Sequence, residues 1–186
     1  MSASTAPLSA ELVLGRTPSL NEPRLMGGML LWLEQRPHER GRTTLMLREA
    51  HGTAPREVTA GDWNLRCRVH EYGGGACAIG RGSTGEALAV FVHDGDRCLW
   101  RVRLGEPGCT PVRLTATAAD GRFNGALGGG LIDPQHDRWI GVLEREGRDQ
   151  LVAVPLKGGA VEPLHHPADF CGYPALSANG KQLAWV

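Results

Sequence analysis

Short apolar runs recur along this chain between turn signals, and almost none carries helical spacing. They fall at residues 29–33, 44–47, 87–92, 99–104, 139–143 and 151–156, each of strand length and bounded by Gly, Pro, Asp or Asn. Three segments share one layout: an alternating strand, a glycine-bearing turn and a second short strand. They run from Thr44 to Thr59, from Cys98 to Thr115 and from Gln150 to Leu164. Thr59 and Thr115 stand 56 residues apart, and Thr115 and His165 stand 50 apart. A period near 40–50 residues with about four strands per unit predicts propeller blades.

A second element precedes each unit. Pro23-Arg24-Leu25 leads to Leu31-Trp32-Leu33, Asp133-Pro134 leads to Arg138-Trp139-Ile140, and 174–180 leads to Leu183-Ala184-Trp185-Val186. Here a turn is expected to deliver the chain into a strand with a buried aromatic. Asn179-Gly180 is a hairpin-type turn, and 183–186 is expected to begin a further strand whose partner is missing. The predicted architecture is all-β: a partial β-propeller of about three four-stranded blades plus the start of a fourth. An N-terminal extension is expected over 1–21 and the incomplete propeller over 22–186, so the chain is expected to be a fragment.

Composition supports strands and turns. The 186 residues include 26 glycines and 12 prolines, too many for a helical protein. Lys+Arg and Asp+Glu both number 20, which argues against a nucleic-acid footprint or an anionic-membrane binder. No apolar run approaches a membrane span and the first ten residues lack a signal-peptide pattern, so a cytoplasmic location is expected. The five cysteines (Cys67, Cys77, Cys98, Cys109, Cys171) are scattered without a CxxC, as expected of reduced, buried thiols.

The most distinctive stretch is Val69-His70-Glu71-Tyr72-Gly73-Gly74-Gly75-Ala76. It reads as part of a strand. Consecutive glycines cost backbone entropy and pack nothing, so they are kept where another backbone or a ligand must come close. It does not supply a known catalytic pattern. A zinc-protease helix would need histidine at the position of Gly74, and neither Gly73–Gly75 nor Gly128–Gly130 matches a phosphate-binding loop. Arg81-Gly82-Ser83-Thr84-Gly85 lacks the first glycine of a nucleophile elbow and reads as a hairpin turn. Asp94-Gly95-Asp96 also reads as a turn, and His165-His166 with Cys171 as loop residues, so no metal or other cofactor is expected.

Four stretches resemble the N-terminal propeller region of prolyl-oligopeptidase-family serine peptidases, in the acylaminoacyl-peptidase or dipeptidyl-aminopeptidase-like branch. They are Trp32 to Pro37 with Gly41-Arg42, Asn64 to Ala76, Thr110 to Thr115, and Asp169-Phe170 with Pro174 to Val186. Phe123 to Gly130 departs from the family's pattern. The resemblance implies a propeller that filters peptides before a C-terminal α/β-hydrolase domain carrying a Ser-Asp-His triad. That domain is absent from this chain, which is expected to be inactive alone. The implied partners are that domain and short peptide substrates, with no nucleic acid and no membrane. A stand-alone propeller interaction module is the alternative.

Within the resemblance, Arg66, Arg68, His70, Glu71 and Tyr72 are the substrate-gating candidates, with no catalytic or metal residue among them. As a strand, the segment would put Arg66, Arg68 and His70 on one face and Val69 and Glu71 on the other. Glu71 would then meet a substrate amine or hold an arginine. The structural alternative pairs Glu71 with a neighbouring arginine and packs Tyr72 between blades.

Overall fold

The computed structural model describes residues 17–49, 52–72 and 75–186, together with Ser9 and Gly15. Three four-stranded antiparallel sheets follow one another in the order of the chain, and each is a simple meander. The first contains β1 (Ser19–Met26), β2 (Met29–Arg36), β3 (Arg42–Arg48) and β4 (Arg56–Glu57). The second contains β5 (Cys77–Arg81), β6 (Ala87–Val92), β7 (Leu99–Arg103) and β8 (Val112–Arg113). The third contains β9 (Ala126–Asp133), β10 (Arg138–Arg145), β11 (Arg148–Pro155) and β12 (Glu162–His165). A hairpin of β13 (Ala175–Leu176) and β14 (Leu183–Ala184) begins a fourth unit.

The six apolar runs are the second and third strands of these blades. Their alternation sends side chains to two interfaces at once. From β6, Ala89 and Phe91 join Leu31, Leu33, Leu45 and Leu47 between the first and second blades. Leu88, Val90 and Val92 of the same strand join Leu127, Trp139, Leu143 and Val152 between the second and third. The middle blade is therefore buried on both faces, and β6 reads as a continuous apolar run. Ile140 and Val142 of β10 point the other way, toward Leu151, Ala153 and Cys171. Each fully buried Leu, Val or Phe contributes about 1.5–3 kcal/mol of transfer free energy, so the stacked faces dominate stability.

A repeated threonine ties the outer strands. Thr59 is fully buried; its Oγ1 accepts the Leu45 N–H at 2.9 Å and shares a hydrogen bond with Thr44 Oγ1 at 2.9 Å. In the second blade Thr115 Oγ1 accepts the Leu99 N–H at 3.0 Å. In the third, His165 stands at this place and pairs with Leu151.

The fold departs from the expected pattern at three places. Pro23 does not lie in a turn: β1 begins at Ser19 and runs through it, with a register shift between Asn21 and Arg24. The shift lets a proline stay in a strand without a ladder N–H. The terminal strand has a partner, since β14 pairs with β13 and Val186 and Gly172 exchange backbone hydrogen bonds at 2.8 and 3.0 Å. Trp139 is buried, but Trp185 is 39% exposed, so the buried aromatic does not recur in every unit. All five cysteines are free thiols, four of them buried and Cys109 half-buried.

Candidate functional site: a cleft where the blades converge

The first strands of the blades come together, with β5 packed along β9. A cleft of about 500 Å³ opens there, bordered by Glu22 and Arg24 of β1, Cys77 of β5, Gly128–Gly130 of β9 and residues 171–174 ahead of β13. Val69, His70 and Tyr72 reach it from the connection between β4 and β5. Its volume falls in the range of small-ligand sites.

Glycines build its floor. Opposite Gly141, the β9–β10 register shifts so that Gly129 and Gly130 form a bulge between the pairs Val142↔Gly128 and Ile140↔Leu131. The Trp139 ring covers this place: a Cβ on Gly130 would lie 2.1 Å from it, and one on Gly141 would lie 2.3 Å from it. Gly75 then meets the bulge from the other side. Gly129 N–H donates to Gly75 O at 3.0 Å, and a Cβ on Gly75 would lie 2.6 Å from Gly129 Cα. The two glycine runs that stood out in the sequence thus touch each other, backbone to backbone.

Residues 66–72 are not a strand, contrary to the alternation expected of them. Leu65 makes an isolated bridge to His93, and Val69–Glu71 form one 3-10 turn in which His70 (φ 52) and Glu71 (φ 63) are left-handed. Arg66, Arg68 and His70 therefore share no strand face. Tertiary contacts impose this shape. His70 N–H donates to Glu144 Oε2 at 2.5 Å, and His70 Nε2 lies 3.1 Å from Asp149 Oδ2. Arg68 turns to Asp94, with Nε donating to Oδ1 at 2.7 Å.

Of the five candidates, His70 and Tyr72 border the cleft. Arg66, Glu71 and Tyr72 border an adjoining groove of about 670 Å³, shared with Glu22, Arg40 and Asn64. Glu71 forms no ion pair with an arginine among the described residues. Tyr72 is 94% exposed and does not pack between blades. Gly73 and Gly74 lie outside the described residues.

Several site residues carried no sequence signal. Asp149 has a side chain only 1% exposed, and its Oδ2 accepts from Cys171 N–H at 3.0 Å as well as meeting His70. Glu22, left-handed at φ 50 inside β1, accepts the Gly75 N–H at 3.1 Å. Tyr173 is left-handed at φ 51 and 87% exposed. Five of the eight described non-glycine residues with positive φ, namely Glu22, Arg40, His70, Glu71 and Tyr173, border the cleft or its neighbouring groove. Such conformations cost about 1–2 kcal/mol each and persist only where surroundings impose them.

Burial pushes the Cys67, Cys77 and Cys171 thiols above the usual thiol range. They meet the cleft region as small apolar groups rather than nucleophiles. Among the described residues, no group of three or more His, Cys, Asp or Glu is placed to hold a metal ion. No helix among them is long and apolar enough to cross a membrane.

The stacked four-stranded meanders define a β-propeller architecture. Solved structures place it more closely. The chain superposes on a puromycin-hydrolyzing peptidase from Mycobacterium tuberculosis with a TM-score of 0.83 and 33% identity, over 97% of this chain and 28% of that one. A puromycin hydrolase matches with a TM-score of 0.81 and 32% identity, over 97% of this chain and 29% of that one. TolB from Acinetobacter baumannii shares the fold, with a TM-score of 0.57 and 14% identity, over 88% of this chain and 36% of that one. No family model and no curated protein matches the sequence. In sequence and fold, the chain corresponds to the propeller part of prolyl-oligopeptidase-family serine peptidases, and it spans under a third of the length of those peptidases.

Proposed function

We propose that this chain is the non-catalytic propeller portion of a serine peptidase acting on short peptides, of the acylaminoacyl- or dipeptidyl-peptidase-like kind. In this reading its converging-strand cleft governs which peptides reach an α/β-hydrolase domain of the same parent protein, and the incomplete propeller begins with β1 at Ser19 rather than at residue 22. The carrying observation is 33% identity over 97% of the chain to a puromycin-hydrolyzing peptidase of which the chain spans 28%. The cleft supports it, with His70 and Tyr72 on its border, Arg66 and Glu71 lining the adjoining groove, and Arg68 paired with Asp94.

The purified 186-residue chain is expected to hydrolyse no aminoacyl or acyl-aminoacyl reporter above a Ser83→Ala control; turnover removed by that substitution would overturn the non-catalytic reading. Gating is tested in a protein that joins this chain to the remaining length of a matching peptidase. Tyr72→Ala or Glu71→Gln should alter KM and the preference between short and long peptides while kcat on a minimal reporter stays constant. Unchanged discrimination in both variants would sink the gating role.

A further inference from the structure

We propose that Tyr72 and Tyr173 form a two-ring site, at the mouth of the cleft, for the aromatic side chain of a short peptide. The choice of a peptide as ligand rests on the function proposed above; the aromatic preference rests on the site itself. Both tyrosines border the same cleft, and they are the most exposed of its aromatic groups, at 94% and 87%. Large exposed rings that pack against nothing are characteristic of binding hot spots.

One buried carboxylate ties together the two segments that carry the tyrosines. Asp149 Oδ2 meets His70 Nε2 at 3.1 Å and accepts from Cys171 N–H at 3.0 Å. Tyr72 follows His70 by two residues, and Tyr173 follows Cys171 by two. The loops are joined a second time by His70 and Phe170, whose rings meet edge to face at 4.8 Å. His70 is also held by Glu144 through its backbone N–H, and Tyr173 is fixed in a left-handed conformation. The segments carrying the tyrosines are thus tied to each other before a ligand arrives, which lowers the ordering cost of binding. Gly75 and Gly129, in direct contact, line the same cleft, and the space where a Gly129 Cβ would stand is open, so a flat ring can approach backbone there.

The test uses the chain itself and two dipeptides, Phe-Ala and Ala-Ala, with dissociation constants read by saturation-transfer NMR. Phe-Ala should bind at least about tenfold more tightly, and Tyr72→Ala or Tyr173→Ala should each weaken it by about 3–10-fold. Both rings are exposed, so the variants should keep the parent's thermal midpoint. Equal binding of the two dipeptides, no binding of either, or undiminished Phe-Ala binding by the double variant would overturn the site. None of those results depends on the gating test in the longer protein, so the two proposals fail separately.

Discussion

Replacing Gly75 with alanine should destabilise the chain far more than the same change at the glycine it touches. Gly75 has φ +64, and Gly129 has φ +59. Each alanine therefore pays a left-handed penalty of about 1 kcal/mol. At Gly129 the added Cβ enters open space, so the cost should end there. At Gly75 the Cβ would stand 2.6 Å from Gly129 Cα and 2.8 Å from Gly129 N. Ordinary carbon contacts lie near ~3.5–4.0 Å, so one backbone must move by about 1 Å. That movement also strains the 3.0 Å hydrogen bond from Gly129 N–H to Gly75 O. Overpacking of this kind costs about 1–3 kcal/mol, bringing Gly75→Ala to about 2–4 kcal/mol. Urea unfolding followed by tryptophan fluorescence measures the difference, and thermal melting should show a fall of roughly 5–15 °C for Gly75→Ala. If the two variants lose the same stability within about 0.5 kcal/mol, the backbone-to-backbone contact is not what the glycine serves.

Stability should fall in acid partly through Asp133. Burial alone would raise its carboxyl pKa, but hydrogen bonds from Arg138 and His136 hold it below the usual carboxylate value. The unfolded chain then binds the proton more readily, so this stabilisation is present above about pH 4 and is lost as pH falls through the lower folded value. Asp133→Asn should flatten the decline in urea midpoint from about pH 6 to about pH 3, and an unchanged slope would refute the assignment. With four of five thiols buried and Cys109 half-buried, a thiol reagent should label Cys109 first and the other four on unfolding; a second rapidly labelled thiol would contradict that order. Thr59→Val and Thr115→Val should each cost about 1–3 kcal/mol, because each leaves a buried strand N–H without its acceptor. The two costs should add in the double variant, and a loss under about 0.5 kcal/mol for either would show that its hydroxyl is dispensable.

The middle strands of each blade are legible because their burial follows from their own residues. Ala87–Val92 packs on both faces, so nearly every position is apolar whatever its partners are. The first strands are harder to read, since one side faces the cleft. β1 carries Glu22, Pro23 and Arg24, and β9 carries three glycines, so neither shows a simple alternation. The glycine run 73–75 did announce a close backbone approach, and Gly75 makes one. Its flanking residues misled because their conformation is set from far along the chain. His70 is positioned by Glu144 and Asp149, 74 and 79 residues away, and those contacts hold it in a left-handed turn that no local preference favours. Asp149 was invisible for the same reason: it sits in an ordinary polar position at the start of β11, yet its carboxylate joins His70 to the Cys171 backbone. A propeller places its cleft where the first strands of different blades meet. Each site residue therefore answers to neighbours a blade or more away, so a repeat can reveal the scaffold while leaving the site unread.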